Sequence, residues 1–193
     1  MAISASTPSF PLAGGNAVIR DTVRWMERAV IGLQLCPFAK AVHVKGQVHC
    51  AVSDAADDVA LLEDLEHELG SLVALPAEQR DTTLLMAPGC LHDFLDFNGF
   101  LASADRLLRR MRLVGTVQIA AFHPAFQFAG TEAGDITNCT NRAPYPTLHL
   151  IREESIDRAV AAFPEAEAIF ERNMQTLRDL GAAGWQALLE APQ

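Results

Sequence analysis

From residue 21 to the end of the chain, segments of helical period alternate with short apolar runs, and this alternation constrains the fold more than any other feature. Apolar residues three and four apart mark one face of a helix, whereas a short apolar run between turn residues marks a buried strand. Val23, Met26, Val30 and Leu33 form a first helical stripe, opened by Asp21-Thr22 and ended before Pro37. Trp25, Gly32 and Cys36 fall two and three turns apart on a second line, so Cys36 is expected at the helix end on Trp25's side. Residues 42–52 read as a hairpin or one bent strand. Val59, Leu62, Leu65, Leu69 and Leu72 give a second helix, with caps among the acidic residues at 54–58.

The run TTLLM at 82–86 reads as a short buried strand before Pro88-Gly89. A third helix is expected over 92–112, with Phe94, Phe97, Leu101, Leu108 and Met111 inward. Arginines near its end suit the helix dipole. Strands follow at 116–122 and 147–152. A last helix begins at Pro164, where the missing N–H costs nothing, and Gly181 interrupts it before a short turn at 185–189. This order predicts an α/β fold, with α+β as its variant: a single mixed sheet of about four strands packed by helices. Right-handed crossovers make the first three strands parallel neighbours and the fourth antiparallel. Residues 1–16, rich in Ser, Thr, Pro and Gly, read as a flexible tail, and 17–193 as a single globular domain.

Composition narrows the function. The chain has 193 residues, half of them apolar, which suffices for one real core. Its net charge of −9 repels phosphate backbones at long range, which disfavours nucleic acid as a partner. No run approaches the ~20 apolar residues of a membrane span. The start of the chain lacks the basic region and apolar stretch of a secretory signal. Four cysteines with no C-x-x-C pair suggest a reduced, cytoplasmic protein. The sequence specifies no cofactor and no oligomeric state.

The candidate site lies around the long connection at 124–146. A connection this long without periodicity is usually functional or disordered, and this one carries Phe126, Phe128 and Tyr145 as well as Asn138, Asn141 and Arg142. It therefore reads as an ordered loop packed over a site. His123 ends the strand before it and His149 lies inside the strand after it, so the two imidazoles could meet if those strands pair. On the second strand Thr147, His149 and Ile151 share one face, and Leu148, Leu150 and Arg152 the other. Asn173 falls on the apolar stripe of the last helix, where a buried amide needs a partner: loop backbone or a ligand.

Those residues carry a resemblance. The segments GLQLCPFAK, DTTLLMAP, FLDFNGFL, FHPAFQFAGTEAGDITNCTNRAPYPTLHLIRE and FERNMQTLRDLGAAGW closely resemble the bacterial family called domain of unknown function 1415, over about residues 17–188. The resemblance implies a stand-alone, soluble bacterial domain and assigns no chemistry.

The reading taken forward is an enzyme acting on a small polar or anionic metabolite. His123 and His149 supply acid–base chemistry near neutral pH, and Cys36 is a third catalytic candidate. Arg142 and Arg152 offer planar forks for a carboxylate or phosphate, and Asn138, Asn141, Tyr145 and Asn173 are further binding candidates. A small-molecule ligand is the expected partner, and no metal ligands are assigned. Three alternatives stand beside it: a Cys36 nucleophile with a histidine base, a metal site drawing on His43, His49 and Cys50, and a non-catalytic ligand-binding or protein-interaction module using Phe126, Phe128 and Tyr145.

Overall fold

The computed structural model describes residues 15–162 and 168–190. Helix α1 spans Gly15–Trp25 and runs directly into a π-helical segment, Met26–Ile31. Gly15 and Asn16, assigned to the tail by sequence, are its first residues; the rest of that tail lies outside the described residues. Helix α2, Ala39–Val44, occupies the start of the region expected to be extended, and only its second half forms strand β1, Val48–Val52. The left-handed Gly46, φ 68°, makes the tight exit from that helix.

Helix α3, Asp58–Ala74, is capped by Asp57, whose carboxylate accepts the Ala60 N–H at 2.9 Å. It buries Leu61, Leu65, Leu69 and Leu72, while Val59 faces solvent. Strand β2 is Thr82–Met86, buried at every position. Helix α4, Phe94–Arg110, starts from an Asp93 cap and buries Phe97, Phe100, Ala104, Leu107 and Leu108. Strands β3, Val117–Phe122, and β4, Thr147–Arg152, close the sheet around the long loop. Helix α5, Glu153–Ala162, has no counterpart in the sequence reading, and the expected helix start at Pro164 lies outside the described residues. Helix α6 runs from Ile169 to Glu190.

The fold is of the α/β class, with one mixed four-stranded sheet in the order β1-β2-β4-β3. Strand β1 pairs parallel with β2, and β4 pairs antiparallel with both β2 and β3. The expected direction of β4 is correct, but β3 is not a neighbour of β2, because β4 inserts between them. Side-chain chemistry explains the placement. Strand β4 is buried or half-buried at every position, as a central strand must be, whereas β3 exposes Gln118 and takes the edge.

Two cores cover the sheet. On one face α3 and α4 pack over Leu85, Val117, Leu148 and Leu150. On the other, α1, the π segment, the loop and α6 pack over Leu84 and Met86 through Val18, Trp25, Met26, Cys139, Leu177 and Trp185. Among the described residues, no helix is long and apolar enough to cross a membrane.

Gly181 breaks α6 as expected: its φ of 66° and ψ of 173° lie in a region essentially reserved for glycine. The break redirects the last turns so that Trp185 packs with the α1 core. Open space surrounds the position a Cβ would take, so Gly181→Ala carries a backbone penalty alone. We expect a loss of about 1–3 kcal/mol in urea unfolding. An unchanged midpoint would show that the bend is not held as described.

Candidate functional site

Register decides where the two histidines go. Ala120 pairs with His149 and Phe122 with Thr147, so even-numbered residues of β3 share the face of His149. His123 follows Phe122 and points to the other face. It is fully buried against Phe94 and Phe97 of α4, with ring centroids 5.5 and 5.1 Å away. His149 instead lies against Phe122 at 6.0 Å, and Phe122 meets Trp25 edge-on at 5.3 Å. The expected meeting of the two imidazoles is thereby corrected: they sit on opposite sides of the sheet.

Both rings are neutral and already committed. The Ala125 N–H donates to His123 Nδ1 at 3.0 Å, which leaves Nε2–H to donate to the Leu91 carbonyl at 3.1 Å. Leu91 presents that carbonyl from a left-handed backbone, φ 53°. Burial lowers the His123 pKa, against the opposing pull of the Leu91 bond. For His149, the single Thr82 hydroxyl proton goes to the Leu150 carbonyl at 2.7 Å. The 2.7 Å contact between Thr82 Oγ1 and His149 must therefore be Nε2–H donating. Burial pushes the His149 pKa down to about 4.

The remaining candidates divide between loop architecture and helix ends. Asn138, fully buried, accepts from Phe128 N–H and the Thr131 hydroxyl and donates to the Glu132 carbonyl. Asn141 donates to the Ala121 carbonyl, and its own carbonyl accepts the His123 N–H. Asn173 donates to the Leu35 carbonyl at 2.8 Å, the loop-backbone partner rather than a ligand. Cys36 follows in the half-buried turn after the π segment. Arg152 lies at the far end of β4 from the loop and donates to the carbonyls of Leu72, Leu75 and Arg80. It shares no site with Arg142.

Arg142 has two roles. It pins the loop, through the Phe126 carbonyl at 3.1 Å and the Ala133 carbonyl at 2.7 Å. It also lines an open cleft of about 460 Å³. Asp21, Arg24 and Trp25 of α1 form one side of that cleft. Pro124, Arg142, Ala143 and Pro144 of the loop form a second, and Trp185 and Leu189 of α6 the third. The heptad logic of α1 accounts for the first side: Val18, Thr22 and Trp25 are buried, which sets Asp21 and Arg24 at the rim. Tyr145 donates to Asp21 Oδ2 at 3.1 Å, and Arg24 sits 3.5 Å from Asp21 Oδ1. That half-exposed ion pair contributes little stability.

Two donors at the cleft are unpaired. Arg24 Nε and the Trp25 indole Nε1 are buried with no hydrogen-bond partner among the described residues. Sequence reasoning missed Arg24 and Trp185, and placed Trp25 only on a second helical line with Gly32 and Cys36. The available signal was composition: the chain has two tryptophans, and both have arginine or apolar neighbours at helical spacing.

Two alternatives can be placed against the geometry. Among the described residues, no three His, Cys, Asp or Glu side chains are grouped to hold a metal; His43 pairs with Glu27 at 2.9 Å and His49 faces Glu68 at 3.9 Å. Phe126 and Phe128 are half-buried and pack ring on ring with Phe94 and the exposed Phe170.

Fold and cleft together define an α/β protein whose mixed sheet is covered by helices on both faces, with an open cleft beside α1. The chain matches the family described as Protein of unknown function (DUF1415) over residues 17–187 and belongs to that family. No curated protein and no solved structure matches it.

Proposed function

We propose that this chain binds a small anionic ligand in the cleft between α1, the long loop and the C-terminal turns of α6. One observation carries the reading: Arg24, Arg142 and both tryptophans of the chain border the same hollow. A guanidinium suits a carboxylate or phosphate, and a hollow of this size falls in the range of small-molecule sites. Arginine anchoring of an anionic metabolite is thus retained from the sequence reading. Histidine acid–base chemistry is not, since each imidazole is neutral and has its proton committed to the protein's own carbonyl or hydroxyl. The function is ligand binding, in the class of a non-catalytic module.

Phenyl phosphate, a ring with one anionic group, is a suitable probe for calorimetric titration. Saturable binding is expected, weakened about tenfold by Arg24→Ala, the scale of one hydrogen bond to a charged group. Absence of binding at millimolar probe, or equal binding by the variant, would refute the reading.

A further inference from the structure

The charges that line the cleft are of both signs. Arg24 and Arg142 stand against one carboxylate, Asp21, an excess of one positive charge in a chain of net charge −9. Arg20 also acts on the Tyr145 phenol and so adds to the positive field on the α1 side. A ligand with anionic groups alone would meet Asp21 as a like charge, and like charges across an interface are costly. Asp21 is a fixed part of the wall. The Tyr145 hydroxyl donates to its Oδ2 at 3.1 Å, and burial together with that bond raises the phenol pKa, so the proton stays in place. Oδ1 lies 3.5 Å from Arg24 Nη1, with the Arg24 and Asp21 side chains 34% and 36% exposed. That is longer than the ~2.7–3.2 Å of a formed N–H···O bond, and a carboxylate has about four acceptor positions, so Asp21 has room for another donor.

An exposed pair of this kind contributes little by itself, so exchanging it for contacts with a ligand costs little. Side by side on α1, a guanidinium and a carboxylate are the mirror image of the carboxylate and ammonium that an α-amino acid carries on one carbon. Arg142 belongs to the loop wall of the same cleft. Its contacts are with neutral groups: the carbonyls of Phe126 and Ala133, and the Cys139 thiol, which burial keeps protonated. None of these neutralises the guanidinium, and donors of its fork remain for a second acid group. Pro124, Pro144 and Leu189, each half-buried, offer an apolar wall to the methylenes of such a ligand. We propose that the ligand of this cleft is an acidic α-amino acid, with its α-carboxylate on Arg24, its α-ammonium on Asp21 and its side-chain carboxylate on Arg142. This rests on the reading of the cleft as an anion site. Two carboxylates and one ammonium answer the charged groups of the lining one for one.

The test is calorimetric titration of the full chain with L-glutamate, glutarate and γ-aminobutyrate, for the native protein and Asp21→Asn. Glutarate lacks the ammonium, and γ-aminobutyrate lacks the α-carboxylate. The native protein is expected to bind L-glutamate at least about tenfold tighter than either, the scale of one charge-assisted contact, and L-glutamate should displace phenyl phosphate. Asp21→Asn retains an acceptor for the Tyr145 hydroxyl and should erase the preference for L-glutamate over glutarate. Equal affinity for L-glutamate and glutarate, equal affinity for L-glutamate and γ-aminobutyrate, no displacement of phenyl phosphate, or a preference that survives in Asp21→Asn would overturn the proposal. The comparison of the three ligands needs only the native protein, so it decides the matter even where the variant is unstable. If phenyl phosphate binds through Arg24 while L-glutamate shows no advantage over glutarate, the amino-acid assignment alone fails. If neither phenyl phosphate nor L-glutamate binds, both it and the cleft reading fail.

Discussion

Replacing Arg152 with methionine is expected to lower the free energy of unfolding by roughly 3 kcal/mol or more. Arg152 is 8% exposed, and its guanidinium donates to the carbonyls of Leu72 and Leu75 at 2.5 and 2.6 Å and of Arg80 at 3.1 Å. Leu72 lies in the last turn of α3 and Leu75 is the residue that ends it; the Leu72 carbonyl also accepts the Leu75 N–H at 3.4 Å, whereas the Leu75 carbonyl lies beyond the helix's own ladder. A cation there also complements the helix dipole. Methionine keeps most of the volume but removes the buried donor these carbonyls share, and each acceptor left unpaired costs about 1–3 kcal/mol. Arg152→Lys should recover only part of the loss, because one ammonium cannot reproduce the planar fork. Urea unfolding measures the effect; a loss below about 1 kcal/mol for the methionine variant would contradict the role given to Arg152.

Acid should weaken the fold through His149. Its folded pKa is about 4, against about 6.5 when unfolded, so the unfolded state binds more protons between those values. Stability from this group is complete above pH 6.5 and is lost as pH falls toward 4. The shift corresponds to about 3 kcal/mol. His123, also lowered by burial, acts in the same direction. His149→Gln keeps an N–H donor for Thr82 but does not titrate. The stability difference between native protein and variant should therefore change with pH across this window, independently of the carboxylates common to both. Parallel pH curves for the two proteins would show that His149 is not held neutral.

Much of the scaffold was legible because it is local. TTLLM and TLHLIR coincide with β2 and β4 residue for residue, since apolar runs bounded by Pro, Gly and loop residues leave little choice. The central place of β4 was not legible: strand order depends on which strand is covered on both faces, a property of the assembled sheet. The histidines failed for a similar reason. Whether residues 123 and 149 share a face depends on parity across β3 and β4, and a one-residue change of register would have put them together. Helix α2 escaped notice because Val and His at 42–44 favour extended backbone, while the turn after the π segment sets them helical. In the site, Arg142 and Tyr145 were found through the loop that holds them. Arg24 and Trp185 were not, since they lie on helices far apart in sequence, and only the bend at Gly181 brings the last turns of α6 to α1.

That bend gives the cleft its third wall, and the cleft contains both tryptophans of the chain. The two indole N–H resonances in a nitrogen–proton correlation spectrum therefore report on it directly. Titration with phenyl phosphate is expected to move both indole signals along saturating curves with one shared affinity. Indole signals that stay fixed while the probe is raised to millimolar concentration would contradict ligand binding in this cleft.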